Sequence, residues 1–128
     1  MLSRRTPLRG VAPASAVDSA VHQLEAMGIT IPHAQKVMEY LGTHSDLIDI
    51  VLKGCRAARD KFAAGTQLSL EMYSDPDIED SYPTLNIRQK HYDEQIFNSI
   101  ENVKSMYESH LVGKTSWFLV TSDLRPPR

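Results

Sequence analysis

The sequence has almost no cysteine and no long apolar run. Cys55 stands alone among 128 residues, so the chain can form neither an internal disulfide nor a cysteine-based zinc site. A lone cysteine is typical of a reducing compartment, which favours a cytoplasmic location. No apolar run approaches the roughly 18 residues needed to cross a bilayer. We therefore expect a single domain with no membrane contact.

Recognisable catalytic motifs are also missing. The sequence contains no G-x-S-x-G, H-E-x-x-H, kinase or glycine-rich phosphate-loop pattern. Five histidines are present, but no two have the four-residue spacing of a helical zinc site. Cys55 shares the register of apolar neighbours, which indicates a buried structural thiol rather than a nucleophile. No motif supports an enzyme, and we expect no cofactor.

Charged residues nearly balance in number but not in position. There are 14 Lys and Arg against 16 Asp and Glu, yet residues 71–94 hold seven acids and two bases. Residues 1–14 hold three arginines and no acid, which predicts a disordered basic arm before a single domain of residues 15–128. Organellar presequences share the arm's composition, so the sequence leaves open whether it is a targeting segment or a plain tail.

In the first half of the domain, apolar residues have the spacing of helices. Apolar residues recur at spacings of three and four as far as Phe62, in three stripes that are followed by Gly28, Gly42 and Gly65. We therefore predict three short helices in a hairpin or small bundle. From Gln67 onward apolar residues recur at every second position instead of about every 3.6 positions, which indicates strands.

The second half predicts a strand, a second strand, a helix and a third strand. Residues 68–72 and 85–88 alternate as an antiparallel hairpin with one wet face, and a helix follows as far as Leu111. Residues 117–120 are apolar on both sides, so we expect a central strand beside the first one. The predicted fold is α+β, with amino-terminal helices and a β-β-α-β unit in a three-stranded antiparallel sheet of order 2-1-3. The proline-containing end, residues 124–128, is expected to leave this sheet.

The hairpin loop is rich in carboxylates. Asp75, Asp77, Glu79 and Asp80 could hold a divalent cation through oxygen ligands, although the glycine and distal glutamate of an EF-hand loop are missing. Such a site would suit a metal-dependent enzyme acting on nucleotides or phosphate esters, with Arg88 as the anion partner. The structural alternative is a solvated loop whose charges discourage aggregation at the sheet edge.

A basic stretch lies in the third predicted helix. Lys53, Arg56, Arg59 and Lys61 could contact phosphates, because such contacts need little more than exposed positive charge. A sequence pI near 6.2 lacks the overall basic signature of nucleic-acid-binding domains and weighs against this partner.

The wet face of the predicted sheet is the favoured binding surface. Its residues are Glu71, Tyr73, Thr84, Asn86 and Arg88. A small open sheet commonly meets a partner by edge addition or by face packing. We therefore expect a non-catalytic protein-binding or regulatory domain whose partner is another protein or a second copy of the chain.

One segment carries a resemblance. The string LSLEMYSDPDIEDSYPTLNIRQ, in the hairpin, resembles small uncharacterised bacterial proteins. The resemblance covers about 22 residues. It implies a bacterial cytosolic protein and carries no activity, so no functional residue follows from it.

Overall fold

The computed structural model describes residues 12–77, 80–114 and 116–128. Residues 1–11 of the predicted basic arm lie outside this range. The four α-helices are α1 (Ala14–Ala26), α2 (Ala34–Thr43), α3 (Ile48–Lys61) and α4 (Ile96–Ser105). The four strands are β1 (Ile29–Thr30), β2 (Gln67–Asp75), β3 (Asp80–Arg88) and β4 (Leu119–Thr121). Short 3-10 helices precede α3 at Ser45–Leu47 and follow α4 at Glu108–Leu111.

The helices follow from the apolar stripes of the sequence. In α1, Val17, Val21 and Leu24 point to one side and are buried. The chain then turns at Gly28, whose φ of +84° lies in the left-handed region that glycine adopts without strain. This turn redirects the chain from α1 into the sheet.

The sheet differs from the predicted one. It has four strands in the order β1-β2-β3-β4, so the three-stranded antiparallel sheet of order 2-1-3 is wrong. β2 and β3 form the expected antiparallel hairpin, but β1 is parallel to β2 and β4 is parallel to β3. A helical crossover returns the chain to the end of the sheet where the previous strand began, so the strand after α4 can lie parallel beside β3. The position beside β2 is occupied by β1, which is too short to give a periodic signal.

The last strand is an edge strand and not the predicted central one. Phe118 and Val120 are buried, whereas Trp117 is 43% exposed and Leu119 is half-buried. The apolar run therefore alternates between a covered and an open side, as in an ordinary strand with one face on the core. Because the residues on both sides of this strand are apolar, the sequence shows no alternation of apolar and polar residues there.

The helices cover one face of the sheet. The apolar core residues of the strands, with Phe118 just before β4, alternate along the chain on one side of the sheet and join the helical core in a single cluster: Ile29, Leu68, Leu70, Leu85, Ile87, Phe118 and Val120. The Tyr107 and Phe118 rings lie 5.0 Å apart between centroids, where the end of α4 meets β4. The opposite face of the sheet is left without a helical layer.

In the part of the chain that the structure describes, no helix has the length and apolarity required to cross a membrane.

Candidate functional site

The open face of the sheet brings together all five residues predicted to bind a partner. Side chains alternate along a strand, and the register pairs Glu71 with Thr84. Tyr73, Asn86 and Arg88 therefore share that face. A cavity of about 580 Å³ lies along it, and Thr121, Asp123, Arg125 and Arg128 also line this cavity.

Arg88 is the central side chain of this face, but it is buried. Only 2% of the side chain is exposed, and its Nη1 lies 2.7 Å from the carboxylate of Glu71. On the other side, Nη2 lies 2.8 Å from Asp123, which also accepts a bond from Nε. A guanidinium is suited to this role because its planar donors can meet two carboxylates at once. Arg88 thus ties β2 and β3 to the segment after β4.

The two carboxylates are held in their charged forms. Hydrogen bonds from Arg88 are the main reason that the pKa of Asp123 is lowered. Burial acts to raise the pKa of Glu71, but hydrogen bonds from Arg88 and Ser69 outweigh it, and the net direction is down. The same two carboxylates raise the pKa of Arg88. Three charges in this cluster therefore stay ionised at neutral pH.

Thr84 lies at the floor of the cavity. Its side chain is nearly buried, and its hydroxyl oxygen has no hydrogen-bond partner among the described residues. Buried hydroxyls are normally paired, since an unpaired one costs about 1 to 3 kcal/mol. Thr84 is therefore the one side chain of the described residues with a buried polar atom left unpaired, and the surrounding protein encloses that atom.

Aromatic side chains lie at one end of the face. The rings of Tyr73 and Tyr82 form a tilted pair, with centroids 5.2 Å apart, on neighbouring strands. Tyr73 is 46% exposed, and Trp117 on the open side is exposed to a similar degree. The sequence prediction included Tyr73 but missed Tyr82, although Tyr82 alternates in step with Thr84.

The opposite end of the face is formed by the carboxyl-terminal segment. This segment was expected to leave the sheet, but it stays against it. The Gln67 side chain donates to the backbone oxygen of Arg128 and accepts from its nitrogen, at 2.9 and 3.0 Å, and the Tyr92 hydroxyl donates to the backbone oxygen of Arg125. Within the described ranges neither Arg125 nor Arg128 forms a salt bridge, but the charge of Arg128 helps to lower the pKa of both Glu71 and Asp123. Together with Arg88, these residues leave this end of the face with a net charge of +1.

Three of the four carboxylates of the acidic hairpin loop belong to the described residues. No three His, Cys, Asp or Glu side chains there lie close enough to hold an ion, and Glu79 lies outside the described residues. Asp75 accepts a hydrogen bond from the backbone nitrogen of Asp77, as in an ordinary turn. Asp75 and Asp80 are direct partners across the hairpin, where like charges repel. The hairpin tip is therefore a concentrated negative charge beside the aromatic end.

The basic residues of α3 differ in their exposure. Lys53, Arg56 and Lys61 are exposed, but Arg59 is half-buried. Its guanidinium donates to the backbone oxygens of Ala63 and Thr66, at 3.0 and 3.3 Å. Arg59 therefore satisfies carbonyl groups just beyond the end of its helix, a common role for a cation at this position.

Comparisons with protein families, with curated proteins and with solved structures find no match to the chain.

Proposed function

We propose that the protein is a non-catalytic protein-binding domain whose partner packs on the open face of the sheet. The observation that carries this proposal is the partly exposed aromatic group formed by Tyr73 and Tyr82, which lines the cavity. Aromatic residues are enriched in protein interfaces, because they bury much area while losing few rotamers. An aromatic group on a sheet face with no helical layer has the composition of a contact surface.

Face packing fits this sheet better than addition of a strand at its edge. The backbone N–H of Val120 in the edge strand β4 already donates to the Tyr107 hydroxyl at 3.0 Å. Pro83, in the part of β3 that extends beyond β4, has no N–H to offer an added strand. Both features reduce the backbone groups that edge addition would use.

The surroundings of Cys55 support the absence of catalysis at the chain's one thiol. Cys55 is fully buried, and burial raises the pKa of its thiol. Because the thiolate is the nucleophilic form, a protonated and enclosed thiol is inert.

Site-specific photocrosslinking tests the proposal. A benzophenone amino acid would replace Tyr73 in one variant and Phe97 in another, in cells that make the protein naturally. Phe97 is a matched control, because it is an aromatic residue of α4 that is 51% exposed, against 46% for Tyr73. We expect a discrete protein adduct from position 73 and none from position 97. No adduct at position 73 in a folded protein, or the same adducts at both positions, would contradict the proposal.

A further inference from the structure

We infer that the open face binds a second copy of the chain, with the two sheets packed face to face and their strands antiparallel. The inference rests on the proposed function and names its partner. It depends on two features of the face: the opposite charges at its two ends and the spacing of those ends from Thr84.

The charges at the two ends of the face are opposite in sign. Asp75, Asp77 and Asp80 form the hairpin tip at one end. At the other end Arg125 and Arg128 line the cavity without a salt bridge in the described residues. Glu71 and Asp123 offset this pair only in part, because Arg88 neutralises one of the two carboxylates; the three arginines against two carboxylates leave a net charge of +1. A surface that is acidic at one end and basic at the other is complementary to its own antiparallel copy.

Thr84 lies midway between the two ends. Asp80 is four residues before it and Arg88 is four residues after it on β3, so each lies about 13 Å away. On β2, Asp75 and Gln67 are likewise four residues from Glu71, the partner of Thr84 in the register.

A two-fold axis across the strands at the level of Thr84 uses this symmetry. The axis reverses the strand direction and keeps the strand order, so β3 of one copy lies over β3 of the other. The acidic tip of each copy then reaches the level of Arg88 and of the carboxyl-terminal arginines in its partner. Tyr82 lies at the level of Asn86 of the other copy, which places the aromatic pair over the polar middle of the face.

The size of the face predicts a reversible dimer. β2 and β3 have nine residues each, but β1 has two and β4 has three, so the strands cover about 360 Å² per copy, to which the carboxyl-terminal segment adds. Specific interfaces usually bury about 800 Å² per partner, so the expected dimer is smaller than usual and weak. The tip and tail charges are exposed, so added salt should weaken it.

Charge reversal combined with sedimentation analysis tests the dimer. The wild-type chain should sediment at about twice 14.4 kDa at high micromolar concentration. A tip variant, Asp77→Lys with Asp80→Lys, and a tail variant, Arg125→Glu with Arg128→Glu, should each dimerise at least ten-fold more weakly. Mixing the two variants should restore association, because the positive tip of one variant meets the negative tail of the other, while the second contact keeps its original negative tip and positive tail. Lys53→Glu with Arg56→Glu on α3 is the control of equal charge change and should leave dimerisation unaltered.

The outcomes separate this inference from the proposed function. A wild-type chain that stays monomeric at high micromolar concentration overturns the dimer, as does a mixture of tip and tail variants that fails to associate while both remain folded by circular dichroism. A position 73 adduct whose mass is not twice that of the chain would then still support a protein-binding face. Absence of any position 73 adduct would remove both.

Discussion

The Nη1 atom of Arg88 lies 2.7 Å from the carboxylate of Glu71, across the two strands of the hairpin, on a face that has no helices. The guanidinium is nevertheless buried, since Asp123 closes its other side at 2.8 Å. A cation enclosed in this way depends on both carboxylates, because an isolated buried charge is strongly disfavoured. The cluster therefore joins the hairpin to the segment after β4 and shapes the floor of the proposed interface.

Removing the cation should destabilise the fold. Arg88→Met keeps the apolar stem but leaves Glu71 and Asp123 without their counter-charge. We expect a loss of about 3 kcal/mol in the free energy of unfolding, because one partner of a largely buried ion cluster is removed. Urea denaturation would measure the free energy of unfolding. Lys90→Met is the control, because it removes an exposed positive charge two residues away. Equal stability of the two variants would show that the cluster does not hold the sheet together.

The same cluster should make stability depend on acidity. The pKa of Glu71 and that of Asp123 lie below their ordinary values of 4.5 and 3.8 in the folded protein. The stabilisation they provide is complete above those ordinary values and is lost as the pH falls through the lowered folded-state values. The melting temperature of the wild-type chain should therefore fall more steeply below about pH 4.5 than that of Glu71→Gln. Parallel melting curves for the two proteins across the acid range would contradict this assignment.

Two helical glycines should respond in opposite directions to alanine. A Cβ added at Gly54 would lie 2.6 Å from the Phe118 ring and 3.1 Å from Tyr107, so the core would have to shift. Gly54→Ala should cost about 1 to 3 kcal/mol of stability. At Gly42 in α2 an added Cβ meets nothing within 4 Å, and Gly42→Ala should stabilise by about 0.5 to 1 kcal/mol. Thermal unfolding of both variants gives the comparison, and a shift of the same sign in both would refute it.

Sequence periodicity predicted the local elements well. The three amino-terminal helices and the hairpin end within a few residues of the predicted places, because apolar spacing and a left-handed glycine such as Gly28 act locally. Strand pairing was predicted incorrectly, because the partner of a strand depends on how the whole crossover packs. β1, with two residues, gives no periodic signal at all.

For the candidate site, too, the sequence predicted local features but not those that depend on distant contacts. Alternation along two strands was enough to place Glu71, Tyr73, Thr84, Asn86 and Arg88 on one face. It could not show that Thr84 and Arg88 are buried there. Arg88 is enclosed by Asp123, which lies 35 residues away along the chain and has no local pattern that marks it.

The sequence by itself determined which segments are helical or extended and which strand residues share a face, because these depend on spacings of two to four residues. It also set the opposed charges of the hairpin tip and the carboxyl-terminal end. Only the tertiary structure decided that β4 lies parallel beside β3 and that the carboxyl-terminal segment packs against Gln67. Those contacts join residues far apart in the chain, so they depend on packing of the complete core. They bring the acidic tip and the carboxyl-terminal arginines to opposite ends of one surface.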